Sequence, residues 1–96
     1  MKVTEEQIKN WKKQHGEIFC VEVDGKSCYL RVPTRAELGF AAESAKTNPL
    51  AFNEVILREC WLAGDEEIRT DDGLFLSVSG QLSQMIEIKE AQIKKL

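Results

Sequence analysis

The chain has little of what most enzymes and secreted domains need. It has three cysteines, Cys20, Cys28 and Cys60, an odd number with no C-x-x-C spacing. That pattern argues against a zinc site and against a secreted disulfide framework, and leaves reduced, mostly buried thiols. There is a single histidine, His15, with no nucleophile beside it in sequence. No G-x-S-x-G, phosphate loop, H-E-x-x-H or dinucleotide fingerprint occurs. No apolar run approaches the roughly 18 residues of a membrane span, and the N-terminus carries no apolar signal core, so the expected location is the cytoplasm, with no membrane partner. Basic charge is also short: 13 Lys and Arg stand against 16 Asp and Glu, a formal charge of −3. No basic stripe carries aromatics through it, so a nucleic-acid partner is not expected.

What is present suits one small folded domain. The 96 residues are 43% apolar and 30% charged, within the range of globular proteins. A chain of this length buries only about 60–65% of its unfolded surface, enough for one modest core and a single domain over 1–96.

Local signals divide the chain into elements. Thr4 with Gln7 forms a capping box and Gly16 a stop, which predicts a helix over 4–15. Only Ile8 and Trp11 share its apolar face, so this helix docks weakly or reaches for a partner. Residues 17–32, EIFCVEVDGKSCYLRV, are β-branched and aromatic around Asp24-Gly25, the signature of a two-residue hairpin turn. The register then pairs Val23 with Lys26, Val21 with Cys28 and Cys20 with Tyr29. Phe19, Val21, Val23, Cys28, Leu30 and Val32 fall on one face, and Ile18, Cys20 and Tyr29 on the other.

Pro33 ends the hairpin, and a second capping box, Thr34 with Glu37, starts a helix over 35–46 with a stripe of Leu38, Ala41, Ala42 and Ala45. Phe40 lies nearly opposite that stripe, as a second contact surface, as an exposed aromatic, or buried by the first helix. Asn48-Pro49 opens a helix over 49–62 whose apolar arc covers well over half its circumference, suiting a central element. A last helix is expected over 72–94, with Leu74, Phe75, Val78, Leu82, Met85, Ile86, Ile93 and Leu96 in one stripe. Residues 74–79 alternate well enough to be a short strand, but the stripe running through Gly80 favours helix. The expected fold class is therefore α+β: an N-terminal helix, a β-hairpin, then a bundle of about three helices.

The stretch GDEEIRTDD holds five carboxylates within eight positions, Asp65 to Asp72. A calcium loop fails there: counted from Asp65, the sixth position is Thr70 rather than Gly, and no Asp/Asn alternation exists. Paired catalytic acids would need a pocket that raises one pKa, whereas neighbours in a short loop stay wet. The plainer reading is that Gly64 ends one helix, Asp71 or Asp72 caps the next, and Glu66 and Glu67 are solvated. No catalytic residue, metal ligand or cofactor is expected.

Apolar side chains left over once the core is assigned point to a protein interface. The candidate partner-binding residues are Ile8, Trp11, Ile18, Tyr29, Phe40, Leu82, Met85, Ile86 and Ile93. A groove lined by Trp11, Phe40, Tyr29 and the stripe of the last helix would accept an amphipathic helix.

The order of elements, with the stretches CYLRVPTRAEL and CWLAGDEEI, resembles the small phage tail assembly chaperones found in prophages of gut bacteria. The likeness spans nearly the whole chain and contains no diagnostic catalytic motif. It implies a non-enzymatic protein that binds the long helical tape-measure protein of a phage tail, keeps it soluble and hands it to tail-tube subunits in the host cytoplasm. Members of that group often self-associate, which makes a homo-oligomer a candidate state. Many are made in two lengths by frameshifting, and Lys94-Lys95 could be encoded by an adenine run, the sort of codon pair on which slippage occurs. The alternative class is an adaptor or inhibitor domain with one small partner.

Overall fold

A computed structural model describes residues 3–85 and 91–96. Helix α1 (Glu5–His15) starts at the expected capping box: the Gln7 N–H donates to Thr4 Oγ1 at 3.2 Å, and the Thr4 N–H donates to Gln7 Oε1 at 2.9 Å. Strands β1 (Ile18–Val23) and β2 (Lys26–Arg31) form the hairpin with the expected register, Val23 facing Lys26 and Cys20 facing Tyr29. Asp24 and Gly25 take φ 49° and 76°, the mirror-image turn whose twist matches paired strands.

Helix α2 (Arg35–Ser44) begins at the second capping box, and α3 (Ala51–Cys60) follows. The Asn48 side chain accepts from the Leu50 N–H at 3.2 Å, so Asn48-Pro49 forms the turn ahead of α3 rather than its first residues.

The helix expected over 49–62 stops at Cys60. Trp61–Gly64 is a third strand, β3, antiparallel to β2, giving a sheet of order β1-β2-β3. An open β2 edge offers Trp61–Gly64 a ladder that a continued helix would forgo. The wide apolar arc read over 49–62 was two elements joined. A short helix, α4 (Glu67–Thr70), leads into α5 (Asp72–Leu82), so residues 74–79 are helical. The expected span of 72–94 is shorter in fact: α5 ends at Leu82 in a 3-10 turn, Ser83–Met85, and residues 91–96 hold no regular structure. Residues 86–90, including Ile86, lie outside the described residues.

The core lies between one face of the sheet and α3 and α5. Cys28, Leu30, Ile56, Leu57, Cys60, Ile68 and Val78 are nearly or wholly buried, with Phe19, Val21 and Val23 packed against them. Each large side chain fully withdrawn from water contributes roughly 1.5–3 kcal/mol. Of the α2 stripe only Ala41 is buried, at the contact with α3, while Ala42 is exposed. Among the described residues no helix is long and apolar enough to cross a membrane.

Candidate partner-binding surface

The alternation of β2 sends Cys28 and Leu30 into the core and Tyr29 to the opposite face. There α1 lies over the sheet, and the Trp11 and Tyr29 rings meet with centroids 5.9 Å apart at 42°. Ile8, Trp11, Ile18 and Tyr29 are all half-buried, and α1 contains no buried residue. The first helix therefore packs on its own domain, through a thin seat in which each anchoring side chain is only partly withdrawn from water. Cys20 sits exposed beside Tyr29. Burial pushes its thiol pKa up, partly opposed by the hydrogen bond with Tyr29.

Phe40 is 57% exposed. It lines a shallow depression with Ala36, Glu37 and Glu59, between α2 and the end of α3. The floor is rigid: both Glu37 carboxylate oxygens are held by Arg31, whose Nη2 also donates to the Glu59 carbonyl at 2.8 Å. Arg31 leaves β2 just before Pro33, and Glu37 is the third residue of α2, so one ion pair ties hairpin, α2 and α3 together. The Arg31 guanidinium lowers the Glu37 carboxyl to about 2.

The single groove expected from the sequence does not form. Leu82 and Met85 are 2% and 4% exposed and belong to the core. They pack on the sheet face opposite Tyr29 and Trp11, because α5 covers β1 from the core side. They are therefore corrected from surface to core. Ile86 lies outside the described residues, and Ile93 is 99% exposed. Of the expected lining, the last helix therefore contributes neither Leu82 nor Met85 to the face that carries Trp11 and Tyr29. Leu76 on α5 and Leu50 ahead of α3, which the sequence reading did not single out, add 53% and 46% exposed side chains.

No family model, curated protein or solved structure matches the chain.

The acidic stretch has a structural explanation. The Ser27 N–H donates to Asp65 Oδ2 at 2.9 Å, and the Asp65 N–H donates to the Ser27 carbonyl at 2.9 Å. The first of these bonds holds the Asp65 carboxyl below its ordinary range. Asp71 is the cap of α5, accepting from the Leu74 N–H at 3.0 Å. Glu66 pairs with Arg69, which lies 4.1 Å over the Trp61 ring, and Glu67 pairs with Lys26 at 3.1 Å. Both glutamates are solvated as expected, with side chains 71% and 65% exposed, and each also reaches a surface ion pair. Among the described residues no group of three or more His, Cys, Asp or Glu is placed to hold a metal ion. Cys60 is wholly buried, with Arg31, Glu37 and Glu59 as its charged neighbours, whereas His15 is exposed at the end of α1.

Proposed function

We propose that this chain is a non-enzymatic protein-binding module acting as a phage tail assembly chaperone, which holds the helical tape-measure protein soluble and passes it to tail-tube subunits. The observation that carries the reading is Phe40: a large aromatic, 57% exposed on a helix braced by the Arg31–Glu37 pair, in a depression of about 280 Å³. A rigidly mounted, exposed aromatic is the kind of residue that anchors a partner side chain. The partly exposed Trp11–Tyr29 contact adds further apolar surface. The resemblance carried by CYLRVPTRAEL and CWLAGDEEI supplies the identity of the partner. An amphipathic helix laid on Phe40 would gain about 25 cal/mol per Å² buried, before the costs of association.

The test is to read the DNA beside this gene and to co-express the chain with the product of a long helix-rich reading frame found there. The wild-type chain should keep that protein soluble and co-purify with it. A Trp11→Ala, Phe40→Ala double variant that stays folded should lose this property. A folded double variant that still solubilises the partner normally would sink the surface assignment. A locus without tail genes, or one tight complex with a small unrelated protein, would favour an adaptor or inhibitor instead.

A further inference from the structure

Among the described residues the sheet has two edges, β1 and β3, and only one of them is guarded. Strand β3 is short and its pairing is irregular between Tyr29 and Leu30, two features that blunt an edge. Strand β1 runs through Ile18–Val23 in unbroken register with β2 and contains no Pro, Lys or bulge, the usual devices that blunt an edge.

The turn fixes which backbone groups that edge presents. Val23 and Lys26 flank a two-residue loop and exchange both backbone bonds, as do Val21 with Cys28 and Phe19 with Leu30 two and four positions on. The N–H and C=O groups of Ile18, Cys20 and Glu22 therefore point outward. The same phase is visible on β2, where Ser27, opposite Glu22, turns its N–H and C=O away from β1 to Asp65. Among the described residues, β1 has a hydrogen-bonded strand neighbour only in β2.

We propose that the outer edge of β1 pairs antiparallel with β1 of a second copy, with Cys20 facing its own counterpart on a two-fold axis. In this register Ile18 faces Glu22 of the second copy, and every outward group of Ile18, Cys20 and Glu22 in both copies finds a partner. Centring the pair on Phe19 or Val21 instead leaves the outward groups of Glu22 or of Ile18 beyond the paired stretch. A register centred between two residues sets opposite faces of the sheets together.

Charge permits the chosen register. Glu22 is the one charged residue of β1, and it lies opposite Ile18 rather than another Glu22. On the core side, the cleft beside the edge presents Ser77, Gln81 and Gln84 from α5, all neutral, and Glu22 of β1 is its one charged lining residue, so α5 adds no like charge where two copies meet. A helical partner satisfies its own backbone and cannot fill this edge. The inference is accordingly independent of the proposed function.

The test follows the full-length chain by sedimentation and by amide hydrogen exchange over a wide range of protein concentration. The expected result is a dimer whose formation slows exchange at Ile18, Cys20 and Glu22 by at least about tenfold. Cys20→Lys sets like charges directly opposite each other at an exposed position and should weaken dimerisation about fivefold with the melting temperature unchanged. Cys20→Pro removes an outward N–H but no β1–β2 bond, and should abolish the dimer. A chain that stays monomeric, a dimer in which these amides still exchange freely, or a dimer indifferent to Cys20→Lys would each overturn the proposal. So would protection that does not depend on concentration, because the chain itself would then cover the edge. Should Cys20→Pro fail to fold, the lysine variant and the exchange pattern decide the matter.

Discussion

Arg31 Nη1 and Nη2 donate to Glu37 Oε1 and Oε2 at 2.8 and 2.6 Å, and the same Glu37 carboxylate accepts the Thr34 N–H at 2.8 Å. One side chain therefore closes a capping box and an ion pair across the joint between hairpin and α2. Both partners are less than one-fifth exposed, so the pair is screened less than an ordinary surface bridge.

This carboxyl sets a pH dependence. Its folded value, about 2, lies below the ordinary 4.5. A depressed value means that the stabilisation is fully present above about pH 4.5 and is lost as pH falls through about 2, with a magnitude of about 2 kcal/mol after allowance for partial exposure. Urea unfolding across that range should show the loss in wild type. Glu37→Gln should be less stable at neutral pH, with a flatter acid limb. An unchanged acid limb in the variant would mean that Glu37 is not the titrating group.

Gly64 has φ 149°, and a Cβ placed there would meet the Cys28 Cα at 2.5 Å and the Ser27 carbonyl oxygen at 2.6 Å. Neither is the loose end of a side chain; both belong to the β2 backbone. Gly64→Ala should therefore push β3 off β2, costing about 2–4 kcal/mol from strain and overlap together. Gly16→Ala, at φ 83° but in open space, should cost only about 1 kcal/mol. Equal losses in chemical denaturation would remove the case for a close β2–β3 approach.

The hairpin and the two capping boxes were legible because their causes are local. Asp24-Gly25 dictates a turn, the turn dictates a register, and the register places Cys28 and Leu30 inside. Thr34 and Glu37 are three residues apart and need nothing else to meet. Strand β3 was not legible, because Trp61 to Gly64 become a strand only when the open edge of β2 is there to receive them. The burial of Leu82 and Met85 was hidden for the same kind of reason, whereas Phe40 is exposed as its place among the candidate surface residues anticipated. Leu82 and Met85 are apolar residues at the end of an amphipathic segment, and their burial depends on α5 lying against β1, a long-range choice. Arg31 to Glu37 spans only six positions, yet it joins a strand to a helix and follows no single periodicity.

The cysteines differ in reach. Cys28 and Cys60 are wholly buried, and desolvation raises both thiols to about 11, while Cys20 is exposed on the back of β1. A thiolate-selective reagent at about pH 8 should modify Cys20 alone in the native protein and all of the cysteines after unfolding. Mass spectrometry of the labelled chain reads this directly. Native labelling of Cys60 ahead of Cys20 would show that the α3 end of the core opens more easily than its burial implies.

The Trp11–Tyr29 contact is the main aromatic anchor of α1, and an aromatic pair of this kind contributes about 0.5–1.5 kcal/mol. With no buried residue in the helix, its detachment should be nearly independent of the core. Trp11→Ala should raise amide exchange throughout Glu5–His15 and speed tryptic cleavage at Lys9, Lys12 and Lys13, while the unfolding midpoint of the remainder moves little. Tyr29→Ala should reproduce the effect from the sheet side, and the double variant should be no worse than either single one. A large drop in global stability from Trp11→Ala would instead make α1 an integral part of the core and remove the half-wet seat as a surface free to bind a partner.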